Sequence, residues 1–408
     1  MSTATAKACQ GRGFLIQICS NALPIHSFIW YLMKALRYAK RLIGFDSASH
    51  KSNREISRYL EMKLTKHGFV VERVEYPDSN GELKVNLIAK KGSGDGGLGY
   101  FGHSDVVPAE QWFTKKFTGF QPAIARGRLY GRGSCDMKGS LACMLAASQQ
   151  FDWDELKKPL YFTITSDEEI GFEGAQAVVK ESKHYREMAY HRTKAIIGEP
   201  TMLEVVHAHK GSIKITATAT GVAGHSGGRI GESANLKMIP FLAEMKKLRD
   251  ETETESEWQD KEFDPPTLSW NIVIKDDAPA FNVTAGKSVC TMYLRPMPKI
   301  QIAPMLERIR QAAVESDLSL EIQNWGPGMY SDPDSHFVKE SLKLLHKQTS
   351  HTVPFGTDGG MFSELEHKIV FGPGNIAQAH AIDEWISLEQ LEKGTELYAK
   401  MIRRWCCS

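Results

Sequence analysis

His103, Asp136, Glu169 and Glu199 stand 33, 33 and 30 residues apart in a chain of 408. About 30 residues is one strand-helix-strand unit. The spacing therefore puts each group at the carboxyl end of a parallel strand or in the loop after it, where open α/β sheets hold their sites. Carboxylates converging there would repel one another unless a cation neutralised them. The donors are imidazole and oxygen with no thiolate, a set that suits zinc, cobalt or manganese. Asp105, two residues past His103, is placed to accept the second imidazole N–H and fix its tautomer. Taken singly, each residue has an ordinary reading as well. His103 with Asp105 could be a turn, Asp136 could cap a helix starting near Met137, and Glu168–Glu169 could be a solvated bend. Their common placement at strand ends separates the two readings.

Two other nucleophiles compete. Gly224–His225–Ser226–Gly227–Gly228 matches G-x-S-x-G, with Asp358 and His380 following in Ser-Asp-His order. An elbow serine should follow a strand buried on both faces. The run before Ser226 instead alternates Ile213, Ile215, Ala217 and Ala219 with Lys214, Thr216, Thr218 and Thr220, a strand wet on one face. A serine site would also leave the strand-end carboxylates without a role. Cys135 has no nearby cation to lower its pKa.

The elements that must position these groups follow from periodicity. One helix is expected over residues 34–68, from Leu36, Ala39, Leu42, Ile43, Ile56, Leu60 and Leu64, with Gly68 as the stop. Apolar runs at Leu98–Phe101, Leu160–Thr165 and Ala195–Ile197 alternate with helical stretches at Ser140–Gln150 and Ala175–Glu181. Such alternation predicts a mixed, largely parallel sheet flanked by helices. From residue 207 to 323 the pattern becomes strand, helix, strand, strand, helix, strand: a ferredoxin-like α+β insert. An acidic loop is expected at Asp250–Glu257. Residues 33–206 and 324–408 then form the two parts of the first domain. Residues 1–32 read as an extension of unknown role, too interrupted by polar residues for a membrane span.

Lys plus Arg number 50 against 49 Asp plus Glu, and 42% of residues are hydrophobic. That balance argues against disorder and against a nucleic-acid-binding surface. The seven cysteines include no C-x-x-C pair, which points away from a disulfide framework and towards a reducing, cytoplasmic location.

FGHSDVVP, LYGRGSCDMKG, TSDEEIG and IIGEPT, in that order, make the chain resemble the co-catalytic metallohydrolases that include acetylornithine deacetylase and succinyl-diaminopimelate desuccinylase. The resemblance runs from about Met33 to Trp405. HAHKG, FGPG and QAHAIDEW lean towards the acetylornithine deacetylase branch. The resemblance implies two divalent ions, zinc first and cobalt or manganese as alternatives, bridged by Asp136. His103 and Glu199 would complete one ion's ligands, and Glu169 and His380 the other's. It further implies Glu168 as general base, Asp105 as the partner of His103, and the insert as a lid and dimer interface. His225 would reach the partner's site and polarise the scissile carbonyl. Asn282 and Arg295 would contact substrate, with Gly356 and Thr357 in a substrate loop that departs from commoner versions. The implied reaction is hydrolysis of N2-acetyl-L-ornithine to ornithine and acetate, a step of arginine biosynthesis. Related N-acyl-amino-acid deacylase, desuccinylase or dipeptidase activities are the alternatives. The implied partners are a small N-acyl amino acid and a second copy of the chain, with neither nucleic acid nor membrane.

Overall fold

A computed structural model describes residues 25–114, 118–228 and 232–408. Of the expected extension, residues 1–24 lie outside the described residues. The chain starts with α1 (Ile25–Ile43) and α2 (Arg54–Lys66), continues through β1 (Val70–Pro77), β2 (Leu83–Lys91) and β3 (Leu98–His103), and makes short strands β4 (Ala123–Ala125) and β5 (Arg128–Tyr130). Next come α3 (Lys138–Ser148), β6 (Leu160–Thr165), α4 (Glu173–Glu181), α5 (Lys183–Tyr190), β7 (Lys194–Ile197) and β8 (Val206–His209). The insert follows as β9 (Ser212–Thr220), α6 (Ala234–Thr254), β10 (Asn271–Asp276), β11 (Lys287–Leu294), α7 (Ala303–Glu315) and β12 (Leu318–Gly326). The chain returns with β13 (Met329–Tyr330), α8 (His336–Leu345), β14 (His351–Val353), β15 (Lys368–Val370), β16 (Trp385–Ser387) and α9 (Leu388–Cys406).

The main sheet has the order β1-β2-β6-β3-β7-β15-β8-β13, with β14 also paired to β8. β3 lies parallel between β6 and β7, and β15 runs parallel to β7, whereas β1, β2 and β13 are antiparallel additions. Every residue of β3 and β6 is buried, as expected for parallel strands covered on both faces. His103 pairs in register with Thr165, and Phe101 with Ile197. The carboxyl ends of three adjacent strands therefore come level, and the chain leaving each one enters the same crevice. Beneath them, α3 is buried on every side, which its run of small and apolar residues allows. Gly198 is required for a close approach here. A β-carbon at that position would lie 2.3 Å from the Tyr100 hydroxyl, so only glycine lets the chain turn into Glu199 against that ring.

The insert is a four-stranded antiparallel sheet of order β10-β11-β9-β12. Ile213, Ile215, Ala217 and Ala219 are buried on one face under Met238, Phe241, Met245 and Leu248 of α6 and Met305 and Ile309 of α7. The whole is thus a mixed, largely parallel α/β sheet carrying a smaller α+β lid. Among the described residues no helix is long and apolar enough to cross a membrane.

Two local expectations are corrected. The single helix over 34–68 is two helices, interrupted at 44–53, because the intervening polar residues are used elsewhere. The Ser47 hydroxyl donates to Ser104 O at 2.7 Å, and Asn53 exchanges two hydrogen bonds with the Val85 backbone at 2.8 and 2.9 Å. The acidic stretch from Asp250 is not all loop either. α6 continues to Thr254, with Glu251 held by Arg308 at 2.5 Å and Asp250 paired with Lys246 one turn back. The helix α1, Ile25–Ile43, also runs across the expected boundary between residues 32 and 33.

Candidate metal centre

His103 is the last residue of β3 and its ring is buried. Its Nδ1 lies 3.0 Å from the Asp105 carbonyl oxygen and 3.5 Å from the Asp105 carboxylate. Nδ1–H therefore donates to the Asp105 segment, and Nε2 turns the other way, 3.1 Å from Asp136 Oδ1 and 3.6 Å from Glu199 Oε1. On the far side of Asp136, Oδ2 lies 3.5 Å from His380 Nε2, which is 2.8 Å from Glu169 Oε2. Two sets result: His103, Asp136 and Glu199, and Asp136, Glu169 and His380, each with its ligand atoms within 4.8 Å of one another. Asp136 is common to both.

The charges show what this geometry lacks. Burial and the facing carboxylates hold the Glu168, Glu169 and Glu199 carboxyls above their usual range. Burial disfavours a charged His103, yet Asp105 and Asp136 keep its pKa well above the ordinary value. His380, bonded to Asp136 and Glu169, is pushed up to about 10. The raised values mean that protons on the two imidazoles balance the carboxylates here, and a divalent ion bound between Nε2 and the carboxylate oxygens would take the place of those protons. Glu169 Oε1 is buried with no hydrogen-bond partner, an acceptor left for a cation. This all-oxygen-and-imidazole donor set fits two divalent ions.

The turn carrying Glu168 and Glu169 is held from both sides. Asp105 Oδ1 and Oδ2 accept the Glu168 and Glu169 backbone N–H groups, both at 3.3 Å, and Oδ2 accepts the Ser49 hydroxyl at 2.7 Å. Asp105 thus orders the Glu168–Glu169 turn through its carboxylate while its carbonyl faces His103. Asp167 adopts a left-handed backbone (φ 57°), a costly conformation for a non-glycine residue. Tyr76 Oη and Lys84 Nζ, each donating to its carboxylate at 2.8 Å, fix it there.

The substrate residues implied by the resemblance fall into two groups. Arg295 packs against Gly356, whose β-carbon position lies 3.3 Å from Arg295 Nη1. Thr357 is buried, its hydroxyl 2.9 Å from His209 Nε2 and accepting the Gly359 N–H at 3.0 Å. His225, between β9 and α6, and Asn282, between β10 and β11, are instead exposed on two adjacent lid loops joined by a bridge from His225 to Val283. Gly227 N–H donates to His225 Nδ1 at 3.0 Å, and Ser226 N–H to Asn282 O at 2.9 Å. Among the described residues no hydrogen bond or ion pair joins either one to the carboxylate cluster.

The competing nucleophiles are not assembled. Ser226 is exposed, Asp358 bonds the Thr165 hydroxyl, and His380 faces Asp136 and Glu169. The Cys135 thiol donates to Asn375 O at 3.2 Å, and burial pushes its pKa well up. The sequence reading missed Glu384, which is buried behind Asp136. Its only signal was its place four residues after His380, where a carboxylate looks like surface charge.

A chain with this sheet, lid and paired ligand sets is a metal-dependent hydrolase in architecture. The profile of peptidase family M20/M25/M40 matches residues 99–404, and the chain belongs to that family. It is 32% identical over 378 residues to an acetylornithine deacetylase of Myxococcus xanthus, covering 90% of this chain and 96% of that protein. An acetylornithine deacetylase of Pasteurella multocida is 30% identical over 402 residues, covering 94% and 99%. Among solved structures, an M20 family metallo-carboxypeptidase from Sulfolobus solfataricus superposes with a TM-score of 0.73 at 16% identity, covering 91% of this chain and 99% of that one. That likeness is one of fold.

Proposed function

We propose that this chain hydrolyses the amide of N2-acetyl-L-ornithine, releasing ornithine and acetate. The observation that carries the reading is the pair of ligand sets sharing Asp136, in a chain about as similar to acetylornithine deacetylases over nine-tenths of its length as those figures state. In this reading His103, Asp136 and Glu199 hold one divalent ion and Asp136, Glu169 and His380 the other, zinc being the first choice. When bound, such ions supply Lewis-acid polarisation and make water nucleophilic near neutral pH. Glu168 takes the proton of the attacking water and returns it to the departing amine. Arg295, a planar fork beside Gly356, receives the substrate α-carboxylate. His225 donates to the oxygen on which negative charge develops, and it does so from the partner subunit of a homodimer formed through the lid. A cytoplasmic setting accords with the buried free thiols of Cys135, Cys143, Cys290 and Cys406.

The test is acetate release from N2-acetylornithine beside a panel of other acetylated and succinylated amino acids and dipeptides, before and after chelation and with zinc, cobalt or manganese restored. Acetylornithine should give the highest kcat/KM, and activity should vanish with the metal and return with it. Faster turnover of a succinylated diamino acid or a dipeptide would move the chain to another branch. Undiminished activity after metal stripping would remove the metal reading altogether.

A further inference from the structure

Glu384 lies four residues after His380, and its side chain is only 1% exposed. Each carboxylate oxygen receives two donors from the loop that carries Asp136. Oε2 accepts Arg132 Nη1–H at 2.8 Å and Gly133 N–H at 2.9 Å. Oε1 accepts Cys135 N–H at 2.8 Å and Asp136 N–H at 3.1 Å. The Glu384 carbonyl oxygen in turn accepts Gly131 N–H at 3.0 Å. No other side chain makes so many bonds to this loop among the described residues. The loop is a run of turns with a few backbone bonds, among them Ser134 N–H to Gly131 O at 3.0 Å and Lys138 N–H to Gly133 O at 2.8 Å, and Glu384 supplies acceptors for the backbone donors of Gly133, Cys135 and Asp136. We infer that Glu384 is a positioning residue: by gripping residues 131–136 it sets the Asp136 carboxylate in the register that serves both ligand sets. Because the same short segment presents His380, one stretch of chain delivers a ligand of one set and aligns the ligand the two sets share. The inference rests on the metal reading of Asp136.

The chemistry of the grip makes it testable. A carboxylate can accept at all four positions, whereas an amide turns one NH₂ towards two N–H donors and must lose bonds on that side. Glu384→Gln keeps the volume and removes the grip. Glu384→Asp keeps the charge but withdraws it by one methylene. The experiment titrates cobalt(II) into the metal-free full-length chain and follows visible absorption and heat of binding, with thermal melting of the metal-free forms as control. The wild-type chain should bind two ions. Glu384→Gln should weaken at least one of them about 10- to 100-fold, the usual size for an outer partner of a metal ligand, and alter the cobalt spectrum. Its kcat should fall while KM stays within about threefold, as for a group acting on the reacting centre and not on substrate binding. Glu384→Asp should recover part of the affinity. If Glu384→Gln does not fold, Glu384→Asp decides alone, with weakened cobalt binding expected. A folded variant of either kind with native affinity and native spectrum overturns the inference. Failure of the wild-type chain to bind two ions would instead overturn the metal reading.

Discussion

At the residue scale, Glu168 is the group whose role can be isolated most cleanly. It shares the turn with Glu169 but belongs to neither ligand set, so its loss should spare the metals. Glu168→Gln is expected to bind two ions as the parent chain does while kcat falls by about 10²- to 10⁴-fold, the range for removing a general base. Metal content by elemental analysis and steady-state kinetics on one preparation check both halves; substantial residual turnover would take the proton-transfer role away from Glu168. Four of the five candidate ligands stood out in the sequence because chemical type and period coincided: groups about one strand-helix-strand unit apart leave few other places to meet, whereas His380 was pointed to by the family resemblance alone. Glu384 was not legible, because nothing local distinguishes a buried carboxylate gripping backbone N–H groups from a solvated one beside a histidine. The same holds for Lys84 and Tyr76. Their value lies in reaching Asp167 across 83 and 91 residues, a contact that only the folded sheet creates.

At the scale of elements, the junction between sheet and lid is held by β8. His209 is the last residue of that strand and completely buried. Its Nδ1–H donates to Lys210 O at 2.8 Å, and its Nε2 accepts the Thr357 hydroxyl. This direction requires a neutral ring, and burial accordingly lowers its pKa to about 4. The folded state thus resists a proton that the unfolded chain accepts below about 6.5. Stability should be independent of His209 above that value and should fall as pH drops from about 6.5 to 4, by up to about 3 kcal/mol for this group. Denaturant midpoints of the metal-free protein and its His209→Gln variant check this. The parent should lose more stability than the variant between pH 7 and pH 4.5, and parallel curves would show that His209 does not carry the loss. Elements of the lid were legible from their strict alternation. The break between α1 and α2 was not, since helical spacing persists on both sides of it. What ends α1 is the use of Ser47, Ser49 and Asn53 as long-range donors to the strands and loop of the site, and periodicity carries no record of such partners.

At the scale of the whole molecule, the lid leaves apolar surface that the single chain does not cover. β10 is the outermost strand of its sheet, paired to β11 alone among the described residues. Val273 and Ile274 on it are exposed, as are Leu236 and Ile239 on α6 and the whole of Phe281. An open edge with exposed apolar side chains invites pairing with another chain, and a two-fold pairing would be self-complementary. Beside the loop carrying Asn282, the loop carrying His225 lies on this same lid, with no hydrogen bond to the carboxylate cluster among the described residues. If a second copy brings that loop to the site, each active centre is built from two chains, and two different defects should complement each other. Glu168→Gln and His225→Ala chains, each almost inactive alone, can be co-expressed with different affinity tags and the mixed dimer purified through both. One of its two centres then combines an intact Glu168 with an intact partner histidine, so the mixed dimer should show about half the parent kcat per dimer. A mixed dimer as inactive as either parent would confine His225 to its own chain, and a chain that sediments as a monomer at full activity would leave the exposed lid edge without this role.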